Sequence, residues 1–159
     1  MPAQEKIIEI RSYNDSDLDC IIEIFLDAVR NIASKDYTQE QIDAWAQVNR
    51  ENWIKRRLNR QTWIAEVDGL AAGWTDLEPN GHLDMLFVHS AFRGIGVATA
   101  LLNTVETAAR KFELKRIFVE ASLTARPVFE RHGYKVILEQ SVFVRGAYLT
   151  NFQMEKSLN

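Results

Sequence analysis

The chain has 159 residues, of which 47% are hydrophobic and 26% charged, a globular balance that excludes a disordered polymer and leaves room for one core and one domain over 1–159. Its net charge of −3 offers no generally basic surface for nucleic acid, and a single cysteine, Cys20, excludes an intrachain disulfide and a cysteine-rich zinc site. No apolar run reaches membrane-spanning length and no secretory signal pattern opens the chain, so a cytoplasmic protein with no membrane partner is expected.

Ile7 to Tyr13 alternates apolar and polar side chains and reads as a strand. The cluster Asn14-Asp15-Ser16-Asp17 then caps a helix, Leu18 to Ile32, whose apolar positions recur at helical spacing and include Cys20 as a packing residue. Thr38 and Gln41 stand in capping-box positions for a second helix, Glu40 to about Val48, and Trp53, Ile54 and Leu58 mark a third, ending near Asn59. In this irregular section Tyr37 and Trp45 either pack in the core or line a pocket. Gln61 to Val67 and Leu70 to Leu77 flank Asp68-Gly69, a strong hairpin signal. After the turn Pro79-Asn80-Gly81 comes a strand over His82 to Val88.

The stretch after that strand carries the chemistry. Arg93-Gly94-Ile95-Gly96-Val97-Ala98 opens a helix with an apolar stripe of Val97, Leu101, Val105, Ala108 and Phe112. A helix start presents unpaired N–H groups and partial positive charge, and glycines admit a close ligand, so the loop suits a phosphate or pyrophosphate. A tight strand-to-helix connection explains the same glycines. The dinucleotide fingerprint and the phosphate loop ending Gly-Lys-Ser/Thr are both absent. A strand from Arg116 to Ala121 follows, then a short helix from Leu123 to Arg131 closed by Gly133, then a hairpin, Tyr134–Val144 and Tyr148–Met154, around Arg145-Gly146. Strand, helix and strand in succession imply a parallel pair within a mostly antiparallel sheet.

The loop fits the pattern Arg/Gln-x-x-Gly-x-Gly/Ala through Arg93, Gly96 and Ala98. The segment Ala125-Arg126-Pro127-Val128-Phe129-Glu130-Arg131-His132-Gly133-Tyr134 fits a second pattern, Ala-x-x-x-Tyr/Phe-Glu-x-x-Gly-Phe. In these two motifs, and in the element order along nearly its full length, the chain resembles the GNAT superfamily of acyl-CoA-dependent N-acetyltransferases. The resemblance implies an α/β (α+β) fold with a mixed, mostly antiparallel sheet, a central splayed parallel pair and flanking helices. It implies acetyl-CoA as co-substrate, a primary amine as acceptor, and no metal. CoA would be held by Arg93, Gly94, Ile95, Gly96, Val97 and Ala98, with Ser122 and Phe129 near it, and a free backbone N–H at Phe87 or Val88 would bond the thioester carbonyl.

His82 and Asp84 lie two apart on the expected strand, so their side chains share a face and are the candidate proton-accepting pair. Tyr37 and Trp45 are the candidate acceptor-pocket residues. Many GNAT enzymes place a tyrosine acid where this chain has Phe129, and an asparagine where it has Ser122. That substitution keeps a second reading open, a CoA-binding sensor without turnover. A further alternative is an antibiotic-modifying enzyme with an acidic cleft formed by Asp36, Asp43, Asp76, Glu78 and Asp84. The final hairpin offers a surface for a homodimer.

Overall fold

The computed structural model describes residues 6–159. The alternating N-terminal segment forms β1 (Ile8–Ser12), which pairs antiparallel with β2 (Gln61–Val67). β2 turns through Asp68 and Gly69, at φ 52° and 78°, into β3 (Leu70–Leu77). Two successive left-handed residues match the twist of the strands they join. β4 (Leu86–Val88) completes a first antiparallel sheet in the order β1-β2-β3-β4. A second sheet contains β5 (Arg116–Ser122), β6 (Lys135–Val144) and β7 (Ala147–Ser157), ordered β5-β7-β6.

Five helices cover the sheets. α1 (Leu18–Asn31) follows a 3-10 turn capped by Asn14, and α2 (Gln39–Trp45) carries the Thr38–Gln41 capping box. α3 (Arg50–Leu58) is capped by Asn49, and α4 (Val97–Lys111) connects β4 to β5. α5 (Arg126–Arg131) is shorter than the sequence suggests, because Pro127 suits only a helix's first turn and Leu123 and Thr124 stay outside it.

α4 buries Val97, Leu101, Leu102, Val105 and Ala109, whereas Phe112 is 56% exposed. Phe112 is the C-cap residue, beyond the last helical turn, and the buried face of the helix widens to Leu102 and Ala109. Val97 and Leu101 pack on β2 and β3, and the later residues pack on the second sheet. α4 therefore bridges both sheets. At its start the approach is close: a Cβ on Gly73 would lie 2.8 Å from Val97 Cγ1 and 2.9 Å from the Phe87 carbonyl oxygen.

The expected strand from His82 to Val88 is broken, and its parallel pairing with β5 shrinks to one bridge, His82 to Phe118. There Leu83 N–H donates to Phe118 O (2.9 Å) and Phe118 N–H to Gly81 O (3.0 Å). Gly81 permits the contact, since a Cβ would stand 2.5 Å from Arg116 O. Beyond Leu83 the sheets part. There the wholly buried Asp76 carboxylate intervenes: its Oδ1 accepts the N–H of Asp84 (3.0 Å) and of Met85 (2.9 Å), and Met85 N–H is the donor that would follow Leu83 toward β5.

Candidate active site

The parting of the sheets opens a cleft with two cavities. The smaller, about 120 Å³, is an apolar slot running past Ala28, Ile32, Val88, Ala98 and Val128. One end meets the glycine loop. Gly94 and Gly96 have φ of 75° and 97°, a region that L side chains rarely adopt, and a Cβ at Gly94 would meet nothing within 4 Å. Backbone conformation and open access, rather than core packing, thus account for glycine here. The first helical bond of α4 runs from Ala100 N–H to Gly96 O (3.0 Å), so Val97, Ala98 and Thr99 keep N–H groups without a helical acceptor. With the helix dipole they make an anion site beside Arg93 and Ile95.

Asp27 on α1 steadies the turn before this loop by accepting Ser90 N–H (2.6 Å) and the Ser90 hydroxyl (2.9 Å). Burial works to raise its pKa, but hydrogen bonds from Ser90 and Asn31 more than offset that and hold the carboxyl below its ordinary range. Ser122 borders both cavities, and its hydroxyl accepts Ala125 N–H (3.0 Å), a turn-capping contact.

The β4 edge supplies the backbone donor. His89 N–H donates to Ala72 O and Asp76 N–H to Met85 O, with Phe87 opposite Trp74. Odd-numbered residues therefore point their polar backbone groups to β3, and Leu86 and Val88 point theirs to the open side. Of the two expected donors, Val88 faces the cleft and Phe87 faces its partner strand.

The larger cavity, about 330 Å³, is lined by aromatic and charged residues, among them Trp45, Asp84, Phe87, Glu120 and Phe129. Tyr37 does not line it. Its buried hydroxyl donates to Thr150 O (2.6 Å) and accepts Leu123 N–H (2.8 Å), tying the segment before α2 to the second sheet, while its ring meets Trp45 edge-on. Phe129 is buried and packs edge-on against Tyr134, whose hydroxyl burial drives to a strongly raised pKa.

His82 and Asp84 do not share a regular strand face. Asp84 bonds Arg60 (2.8 Å), which also reaches Glu78 (3.0 Å) and Asp76 (3.4 Å), and Arg57 pairs with Asp76 beneath (3.0 Å). Burial pushes the Asp76 carboxyl up and the Arg57 guanidinium down, each opposed by the other's charge. His82 lies between Glu120 (2.7 Å) and Glu78 and stacks on Phe118. Hydrogen bonding to Glu120 is the main cause that pushes its pKa up to about 9, burial working the other way. A carboxylate on each ring nitrogen favours the protonated imidazole, which works against His82 as the proton acceptor at neutral pH.

Among the cavity residues that the sequence reading did not single out are Glu120, Arg56, Arg145 and Asn151. In β5 the burial of Ile117, Val119 and Ala121 turns Glu120 the other way, an alternation visible in the sequence. The Asn151 Oδ1 is buried and has no donor among the described residues. No signal pointed to the arginines. Among the described residues no helix is long and apolar enough to cross a membrane.

A parted strand edge, an apolar slot and an amide-lined helix start together form a site for a long acyl donor with a phosphorylated end. Comparison with known proteins gives the family. The model of the acetyltransferase (GNAT) domain matches residues 33–157. YafP of Escherichia coli (strain K12), described as an uncharacterized N-acetyltransferase, is 36% identical over 147 residues, covering 92% of this chain and 94% of that protein. The crystal structure of a GCN5-related N-acetyltransferase from Rhodopseudomonas palustris superposes with a TM-score of 0.93 at 28% identity, covering 99% of both chains. The PaiA N-acetyltransferase of Thermoplasma acidophilum, solved in complex with coenzyme A, shares the fold at a TM-score of 0.73 and 20% identity, covering 95% of this chain and 99% of that one. The chain belongs to the GNAT acetyltransferase family and is an acetyltransferase by class.

Proposed function

We propose that the protein moves an acetyl group from acetyl-CoA to the primary amine of a small molecule by direct attack on the thioester. The observation that carries this is the open β4 edge: Val88 presents its N–H to a cleft that has the amide-lined loop at one end and acidic side chains at the other. Crystal structures of the same fold hold coenzyme A in the Thermoplasma protein and acetyl-CoA in the putative acetyltransferase YncA of Salmonella typhimurium.

In this reading Arg93 to Ala98 bind the pyrophosphate and the apolar slot takes the pantetheine arm. Val88 N–H bonds the thioester oxygen as negative charge develops on it. Glu120 and Asp84 receive the incoming ammonium, and His82, with both ring nitrogens occupied, fixes the Glu120 carboxylate. The amine loses a proton to Glu120 or to water held by it. Its nitrogen then bonds the acetyl carbon, the C–S bond breaks with the electron pair leaving on sulfur, and the acylated nitrogen gives its second proton to water. The side chain of Phe129 has no proton to give, so the CoA thiolate departs unassisted and takes its proton from water.

Thiol release from acetyl-CoA over an amine panel tests the reading. Glu120→Gln is expected to lower kcat/KM about a hundredfold, with CoA affinity held within about twofold. Tight CoA binding with no thiol release for any amine would make the cleft a binding module instead.

A further inference from the structure

We infer that the acceptor is an amino-acid-sized amine that also bears a carboxylate, with Arg56 and Arg145 receiving that carboxylate. The inference rests on the acetyl-transfer reading and names the acceptor class of the same cleft.

Charge distribution is the first argument. The parted strands bring Asp84 and Glu120 to the larger cavity, while its cover brings Arg56 from α3 and Arg145 from the β6–β7 turn. The acids are already engaged, Asp84 with Arg60 and Glu120 with His82. Within this chain of contacts four acidic side chains, Asp76, Glu78, Asp84 and Glu120, meet three basic ones, Arg57, Arg60 and His82. One negative charge is left over, and Glu120 is the most exposed of the four acids, at 44%. Arg56 and Arg145 enter no ion pair among the described residues. The cavity thus holds one unmatched anion and two unmatched cations, a pattern complementary to an ammonium and a carboxylate on one molecule.

Backbone conformation is the second argument. Arg145 has φ 41°, a left-handed position that asparagine, aspartate or glycine occupies at lower cost. An arginine there accepts local strain, and strained residues concentrate where a side chain is needed. One arm of its guanidinium donates to Ala44 O (2.6 Å), which anchors the group and leaves its remaining N–H donors for a ligand.

Size and lining complete the case. About 330 Å³ accommodates an amino acid rather than an oligosaccharide or a protein segment, and Phe25, Trp45, Trp53 and Phe87 supply an apolar wall. The acidic cleft for a polycationic antibiotic is not formed. Of Asp36, Asp43, Asp76, Glu78 and Asp84, only Asp84 lines the larger cavity, and it pairs with Arg60.

The test compares L-phenylalanine, L-phenylalaninamide and 2-phenylethylamine as acceptors, with the leucine and methionine series run in parallel. Wild-type kcat/KM should favour the free amino acid at least tenfold in one or more series. Arg145→Gln and Arg56→Gln should each shrink that preference at least fivefold, chiefly through KM. No preference in any series, or a preference untouched by both variants, overturns the inference while leaving acetyl transfer standing. If no amine releases thiol, acetyl transfer itself fails, and tryptophan fluorescence of the CoA-loaded protein decides the acceptor question. Tighter binding of an amino acid than of its amide, weakened in the arginine variants, then supports the carboxylate site, and equal or absent binding overturns it.

Discussion

The two ends of the cleft are built by different means. The end proposed for the acyl donor is a contiguous run, Val88 to Ala98, which offers backbone N–H groups and small side chains. The acceptor end is assembled from side chains on α2, α3, β4, β5 and the β6–β7 turn, separated by up to a hundred residues. An invariant ligand end such as a pyrophosphate can be held by main chain, whose chemistry does not depend on residue identity. Choice among amines requires particular charges at particular points. Substitutions should therefore act differently at the two ends, through bulk and backbone at one, through charge at the other.

The largest expected effect lies under the acceptor end. Arg57 and Asp76 are 2% and 0% exposed, so Arg57→Ala strands a buried carboxylate and should cost about 3–5 kcal/mol in urea unfolding. The paired change Arg57→Met with Asp76→Leu should cost less than the single one in urea unfolding, while releasing the N–H groups of Asp84 and Met85 that Asp76 holds. If CoA affinity fell as far as acceptor affinity in either variant, the two ends would not be separable.

Next comes Gly96→Asp at the donor end, where bulk at φ 97° and a negative charge meet the expected pyrophosphate. Calorimetry should show CoA binding weakened roughly a hundredfold, about 2.7 kcal/mol. Unchanged affinity in a folded variant would remove the loop from the binding site.

A smaller effect concerns pH. The folded pKa of His82, about 9, lies above the ordinary 6.5, so its stabilisation is complete below pH 6.5 and fades as pH rises through 9. With an allowance for the exposed Glu120 partner, wild type should lose about 2 kcal/mol between pH 6.5 and 9.5. His82→Gln should be nearly flat over that window, and an equal slope in both proteins would refute the charged histidine. The same logic predicts no inflection near pH 6.5 in kcat/KM.

Smallest of all is Phe129→Tyr. A thiolate leaves readily, so adding a phenol at this buried position should change kcat by less than about fivefold. A much larger gain would mean that departure of the thiolate limits the reaction.

Much of the fold was legible because its signals are local. Asp68-Gly69 sets its own turn, Thr38 and Gln41 cap each other across three residues, and Gly94 and Gly96 declare left-handed backbone at a helix start. The donor loop was legible for the same reason. The surroundings of His82 were not legible because its partner Glu120 is 38 residues away. Tyr37 was ambiguous because an aromatic side chain looks alike whether its hydroxyl is free or, as here, bonded at Thr150 and Leu123.

By itself the sequence determined the element order, the antiparallel hairpins and the left-handed glycine loop that opens α4, all of which follow from each residue's own dihedral preferences and short-range hydrogen bonds. The tertiary structure alone decided where the sheets part, beside a buried Asp76 that captures two N–H groups eight and nine residues on. It also decided which charges meet at the acceptor end. Electrostatic interaction depends on distance through space, and only the folded chain sets those distances.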